Sequence, residues 1–155
     1  TGHDFGSWKE GLESIKKTFD YYIFMNDTVR GPFLPRYIPK NINWYEMFCN
    51  LISEKVKLSG LTINYFPWHR HKLKDSKNYN LGKCCIDAYS GGKYKHVQSM
   101  MFCTDKIGLD ILNNNIFHLT PNEYENIYKN SRKNFIMRFE IGMSHQIIKN
   151  KFGVL

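Results

Sequence analysis

The spacing of apolar residues along this chain changes several times, and each change marks an element. Trp8, Leu12 and Ile15 recur at intervals of four and three, which predicts a helix from a Ser7 cap to about Thr18. FDYYIFMNDT follows and predicts a buried strand that ends in a polar turn. VRGPFLPRYIPK carries three prolines and a glycine, so it is a constrained loop. Asn43 is placed to cap a helix over WYEMFCNLISE, apolar at Trp44, Met47, Phe48, Leu51 and Ile52. VKLSGLTINY reads as a second buried strand, with Gly60 at a bulge or a close approach, and HVQSMMFCT as a third. DKIGLDILNNN is a helix starting at Asp105, and PNEYENIYKN is another with Pro121 in its first position. After a strand-like lead from Asn134 to Phe139, FEIGMSHQIIKNKFGV closes the chain as an amphipathic helix, with Ile141, Ile147 and Ile148 available for burial.

Strands and helices therefore alternate, and the expected class is α/β with a mixed or mainly parallel sheet and flanking helices. Residues 67–95 break the pattern. They are dense in Lys, include the pair Gly91–Gly92 and hold no sustained period, which predicts an irregular basic excursion from one domain. Three confident strands make a thin sheet for this class. The chain reads as the back portion of a domain.

Composition narrows the classes. The 155 residues are 42% hydrophobic and 23% charged, which excludes a disordered chain, and no apolar run approaches a membrane span. Lys and Arg exceed Asp and Glu by 22 to 14, a net charge of +8 that favours phosphorylated ligands, polyanions or anionic surfaces without choosing among them. Fifteen asparagines beside many Lys and Ile also fit a coding bias that raises basicity with no functional cause. Cys49, Cys84, Cys85 and Cys103 form neither a disulfide framework nor a metal spacing, which favours a reducing, cytoplasmic-type compartment.

Candidate chemistry gathers at four places. Asn26 and Asp27 stand where a strand ends, the position at which open α/β sheets collect ligands. Their oxygens suit a divalent cation (Mg²⁺ or Mn²⁺) held against a diphosphate, or they simply open a turn. His3-Asp4-Phe5-Gly6 precedes a helix, where backbone N–H groups receive phosphate or sugar oxygens, or where Asp4 is a plain helix charge. Glu140 opens the last predicted helix and is a general base if it faces the ligand crevice, a helix-start charge if it does not. His96, with Gln98 and Ser99, borders the third strand within reach of a ligand. His69 and His71 belong to the basic excursion and lack partners at zinc spacing. The excursion's Lys residues are interleaved with Tyr79, Tyr89 and Tyr94, a superficial match to single-stranded nucleic-acid binding that no recognised motif supports.

Taken in order, GHDFGSWKEGL, DYYIFMNDTVRGPF, W-x-x-x-F with VKLSGLTIN, HVQSMMFCTDKIGLDIL and FEIGMSHQIIKNKFGV resemble the GT-A-type glycosyltransferases related to rhamnan-synthesis and capsular-polysaccharide transferases. The resemblance covers the chain except roughly 67–93. It implies that Asn26-Asp27-Thr28 stands at the Asp-x-Asp-like motif, with Asp27 as metal ligand and one acid where the pattern has two. It also implies that Asp4, Asn26, Asp27 and Arg30 serve the donor diphosphate, that Glu140 is the catalytic base, and that His96, Gln98 and Ser99 line the acceptor or sugar side. The implied partners are a nucleotide-sugar donor and a glycan acceptor, with no nucleic acid, and a divalent cation as cofactor. The nucleotide-binding front half of the fold does not precede Thr1, so the expectation is the C-terminal portion of a longer enzyme. Two further expectations follow. The strands through Ile23 and Val97 should run the same way, bringing Asp27 near Thr104 and Asp105. Glu140 should open its helix on the same sheet face as Asp27. The rival functional class is a non-catalytic basic module that binds nucleic acid or an anionic surface, or a remnant that binds carbohydrate only.

Overall fold

A computed structural model describes residues 4–31, 34, 36–66 and 94–155. His3, His69, His71, Cys84, Cys85 and the excursion through residue 93 lie outside the described residues. Residues 94 and 95, counted above with that excursion, instead begin a strand.

The first helix, α1 (Asp4–Ser14), starts earlier than a Ser7 cap allows, and Ser7 lies inside it. Phe5 is the reason. Its ring is 2% exposed and meets Trp8, Phe117, Tyr124, Phe135 and Phe139, so the buried face extends one turn further back. The helix stops at Ser14 because its apolar face ends there: Ile15 is 43% exposed and two lysines follow.

The strand β1 (Tyr21–Met25) forms as expected, with Tyr22 and Phe24 buried between more exposed neighbours. The next helix is a single turn, α2 (Glu46–Cys49), with Tyr45 rather than Asn43 at its N-cap. VKLSGLTINY divides at a turn into β2 (Val56–Gly60) and β3 (Ile63–Phe66), which join different sheets. HVQSMMFCT divides likewise. β4 (Tyr94–Val97) pairs antiparallel with β3, and β5 (Met101–Asp105) lies in the main sheet. Gly60 is a close approach: a Cβ there would run into Val97 Cγ1 and come within 3.2 Å of the Met101 carbonyl.

The main sheet has the order β1-β5-β2-β6, where β6 (Gly153–Val154) is a short terminal strand that the amphipathic-helix reading had absorbed. β5 is antiparallel to both β1 and β2, and β6 is parallel to β2. The sheet is thus mixed and mostly antiparallel, and the protein is a mixed α/β fold with flanking helices. The layout that brings Asp27 beside Thr104 and Asp105 is overturned. Val97 belongs to the small β3–β4 sheet, and the antiparallel register Tyr21↔Asp105, Met25↔Met101 sends Asp27 off the end of β1 remote from Asp105. At about 3.4 Å per residue, that separates them by roughly 15 Å or more.

Helices α3 (Lys106–Asn115) and α4 (Pro121–Asn130) match their predicted positions. Asp105 caps α3 by accepting from Gly108 N at 2.9 Å, and Thr120 with Glu123 forms a capping box at the start of α4. The stretch read as a strand-like lead is helical. α5 (Arg132–Phe135) passes through a π-helical segment (Ile136–Ile141) into α6 (Gly142–Lys149). Phe135, Met137, Phe139, Ile141 and Met143 are all buried, and this alternation imitates a strand. A helix produces it when buried on two sides: residues four apart stay on one side, so Phe135, Phe139 and Met143 share one face and Met137 and Ile141 the other. Ile147 is buried as expected, whereas Ile148 is 51% exposed. Lys151, at φ 68°, turns the chain from α6 into β6.

The main core lies between the sheet and these helices. Phe24 stacks on Phe102 and on Phe117, with centroids at 4.7 and 5.3 Å, and Leu58, Leu112, Phe139 and Ile147 complete it without exposure. Each such side chain contributes about 1.5–3 kcal/mol. Tyr124 is buried with them, its hydroxyl donating to the Ile116 carbonyl, and burial pushes its pKa up to about 12.

Candidate active site

The π-helical segment matters because it carries Glu140. Such segments interrupt the regular ladder and recur at functional sites. Glu140 therefore sits in mid-helix and opens nothing, which corrects the helix-start reading. Its side chain keeps 20% exposure. One carboxylate oxygen, Oε2, accepts from Ser99 Oγ at 3.1 Å, and the other, Oε1, stands 3.7 Å from His96 Nε2. β4 and the turn after it thus bring an imidazole and a hydroxyl to a carboxylate more than forty positions away.

His96 is 2% exposed, and among the described residues nothing hydrogen-bonds its Nδ1. A buried polar atom left unpaired costs about 1–3 kcal/mol, which makes the position more than a packing detail. Ser144, from α6, closes the cluster by accepting from Val97 N at 2.9 Å, and so ties β4 to the helix that bears Glu140. The sequence reading passed over Ser144. Its signal was a hydroxyl on the face shared by Ile141 and Ile147, three positions to either side, where a buried polar group needs a partner.

Gln98 does not join them. Its backbone N–H donates to the Thr62 carbonyl and its Oε1 accepts from Thr62 Oγ1 at 2.5 Å, which turns it toward the β3 end.

A second group lies one residue further along. Asn26 N donates to the Met100 carbonyl at 3.0 Å, fastening the end of β1 beside Ser99. Asn26 Nδ2 donates to Asp4 Oδ2 at 3.3 Å, so the start of α1 meets the same strand end. Asn26 Oδ1 accepts from both Thr28 N at 3.2 Å and Thr28 Oγ1 at 2.6 Å, an Asx turn. Asp27 and Arg30 are exposed beyond it, with Arg30 Nη1 donating to the Asp27 carbonyl at 2.5 Å.

These bonds test the cation. Asn26 faces Asp4 with its amide nitrogen, and its only side-chain oxygen already serves two donors, so it is not free to ligate. Among the described residues no three His, Cys, Asp or Glu side chains converge on a metal position. The strand end leaves the exposed Asp27 as the residue that would hold a divalent cation, and no chemistry is routed through one. What the arrangement offers is a partly exposed carboxylate held by a hydroxyl, with an imidazole 3.7 Å away, able to take a proton from a hydroxyl brought against it. An exposed guanidinium and a helix start stand on the neighbouring turn.

No helix among the described residues is long and apolar enough to cross a membrane. No protein-family model, curated protein or solved structure matches the chain.

Proposed function

We propose that this chain is part of a GT-A-like glycosyltransferase that moves a sugar from a nucleotide-diphosphate donor to a glycan acceptor. The convergence of Ser99, Glu140 and His96 supports this reading most. In it, Glu140 takes the proton of an acceptor hydroxyl as that oxygen bonds to the anomeric carbon, and the bond from that carbon to the diphosphate breaks. Ser99 holds the carboxylate by its hydrogen bond, and His96 stands beside it. Asp4 and Asn26 shape the donor side, and the donors of Arg30 not engaged by Asp27 face the charge that builds on the departing diphosphate.

Glu140→Gln keeps the shape and the Ser99 contact but removes the proton acceptor. Transfer from UDP- or GDP-sugars, measured in the full-length protein, should fall by about 10²–10⁴-fold. Binding of UDP or GDP by calorimetry should not change. Full activity in Glu140→Gln would end the base assignment. Absence of any nucleotide-sugar turnover, with salt-dependent binding to unrelated polyanions, would favour the basic binding module instead.

A further inference from the structure

Two cysteines that sequence spacing left unrelated meet in the fold. Cys49, the last residue of α2, and Cys103, in the middle of β5, are 54 positions apart, and their sulfurs stand 3.8 Å from each other. Both are free thiols, buried to 8% and 0% exposure, in a small core of their own with Phe48, Ile52 and Met101. We propose that Cys49 and Cys103 form a reversible disulfide that locks α2 onto the central strand of the main sheet, with a low-molecular-weight disulfide as oxidant.

Closing the bond requires the sulfurs to approach from 3.8 Å to about 2.05 Å. The sheet holds Cys103 between β1 and β2, so α2 must supply the movement. It is suited to do so, being one turn of four residues with no side-chain cap at its start. A turn that short has little stability of its own and opens locally. Opening exposes Cys49 first, and Cys49 is therefore the attacking thiol. Burial pushes the Cys103 thiol up, out of the range of reactive cysteines, so it enters second.

The chemistry balances with one oxidant. The Cys49 thiolate attacks oxidised glutathione, forming a mixed disulfide and releasing one glutathione thiolate, which takes up a proton. Cys103 then attacks the Cys49 sulfur and releases the second glutathione. Two protein thiols are oxidised by two electrons, one glutathione disulfide is reduced, and excess reduced glutathione reverses both steps.

The test equilibrates the native protein with graded ratios of oxidised to reduced glutathione, then alkylates, digests and maps the peptides by mass. The expected product is a Cys49–Cys103 cross-linked peptide two hydrogens lighter than its parts. Oxidised protein should melt on the order of 10 °C higher, because a long loop is closed in the unfolded chain. Cys49→Ala and Cys103→Ala should each abolish the rise, while Cys84→Ser with Cys85→Ser should keep it. The wild-type peptide map stands even where a core variant fails to fold. Both thiols remaining alkylatable at every ratio, glutathione adducts that never close, pairing with Cys84 or Cys85, or a cross-link without added stability would each overturn the proposal.

Discussion

Gly108 sets two ordinary effects against each other. It is the third residue of α3, where replacing glycine with alanine in a helix is normally worth up to about 1 kcal/mol of stability. Here a Cβ would collide with Thr104 Oγ1 and lie 2.5 Å from the Lys57 carbonyl oxygen. Those two atoms are themselves joined, Thr104 Oγ1 donating to the Lys57 carbonyl at 2.6 Å, and Thr104 is fully buried. Neither is the loose end of a flexible side chain. The helix cannot simply step away, since Gly108 N is fastened to Asp105 Oδ1 at 2.9 Å. Asp105 in turn pairs with the buried Lys57 ammonium at 2.6 Å. Overpacking costs about 1–3 kcal/mol, and breaking the buried Thr104 bond adds about 1–3 kcal/mol. Against the helix gain, Gly108→Ala should lose about 2–4 kcal/mol, or roughly 5–15 °C in melting temperature for a chain of this size. Circular dichroism melts of Gly108→Ala and Gly11→Ala form the assay. Gly11 is an exposed position in α1 with nothing within 4 Å of its Cβ direction, so the same substitution there should stabilise. A Gly108→Ala protein as stable as wild type would refute the close-contact argument.

Two further outcomes can be measured in the same way. Lys151 holds φ 68°, a conformation that costs a side chain about 1 kcal/mol, so Lys151→Gly should add about 0.5–1 kcal/mol of stability, read in urea as a higher midpoint with an unchanged slope. Partial desolvation, reinforced by the Arg138 guanidinium, lowers the largely exposed His118 from its ordinary 6.5. The unfolded chain then binds more protons just below pH 6.5, so the His118 contribution is present above that pH and is lost as pH falls. Stability curves of wild type and His118→Gln should converge in slope above pH 6.5 and part below it, and identical slopes throughout would remove His118 from the account.

Several elements were legible because their signals are local. The Pro121 helix start, the helix start at Asp105 and the apolar strand Tyr21–Met25 depend on neighbours within a few residues, and each appears in place. The Asn26–Thr28 turn is equally local, since an Asx side chain bonds to its own backbone whatever surrounds it. Elements failed where burial came from elsewhere. The stretch from Asn134 to Phe139 looked like a strand because only tertiary contact on two sides shows that a helix can need its alternating apolar residues. HVQSMMFCT looked like one strand because the turn at residues 98–100 is imposed by Thr62 and Asn26, both distant in sequence. Sheet direction was equally out of reach: no pattern within β1 or β5 states that they pair antiparallel, yet that choice carries Asp27 away from Asp105. For the same reason, sequence alone supplied the candidate side chains, and the tertiary structure decided which of them meet. Glu140, His96 and Ser99 converge, Gln98 turns to Thr62, and Cys49 finds Cys103. Side-chain type is a property of one position, whereas proximity across forty residues follows from how the whole chain buries its apolar surface.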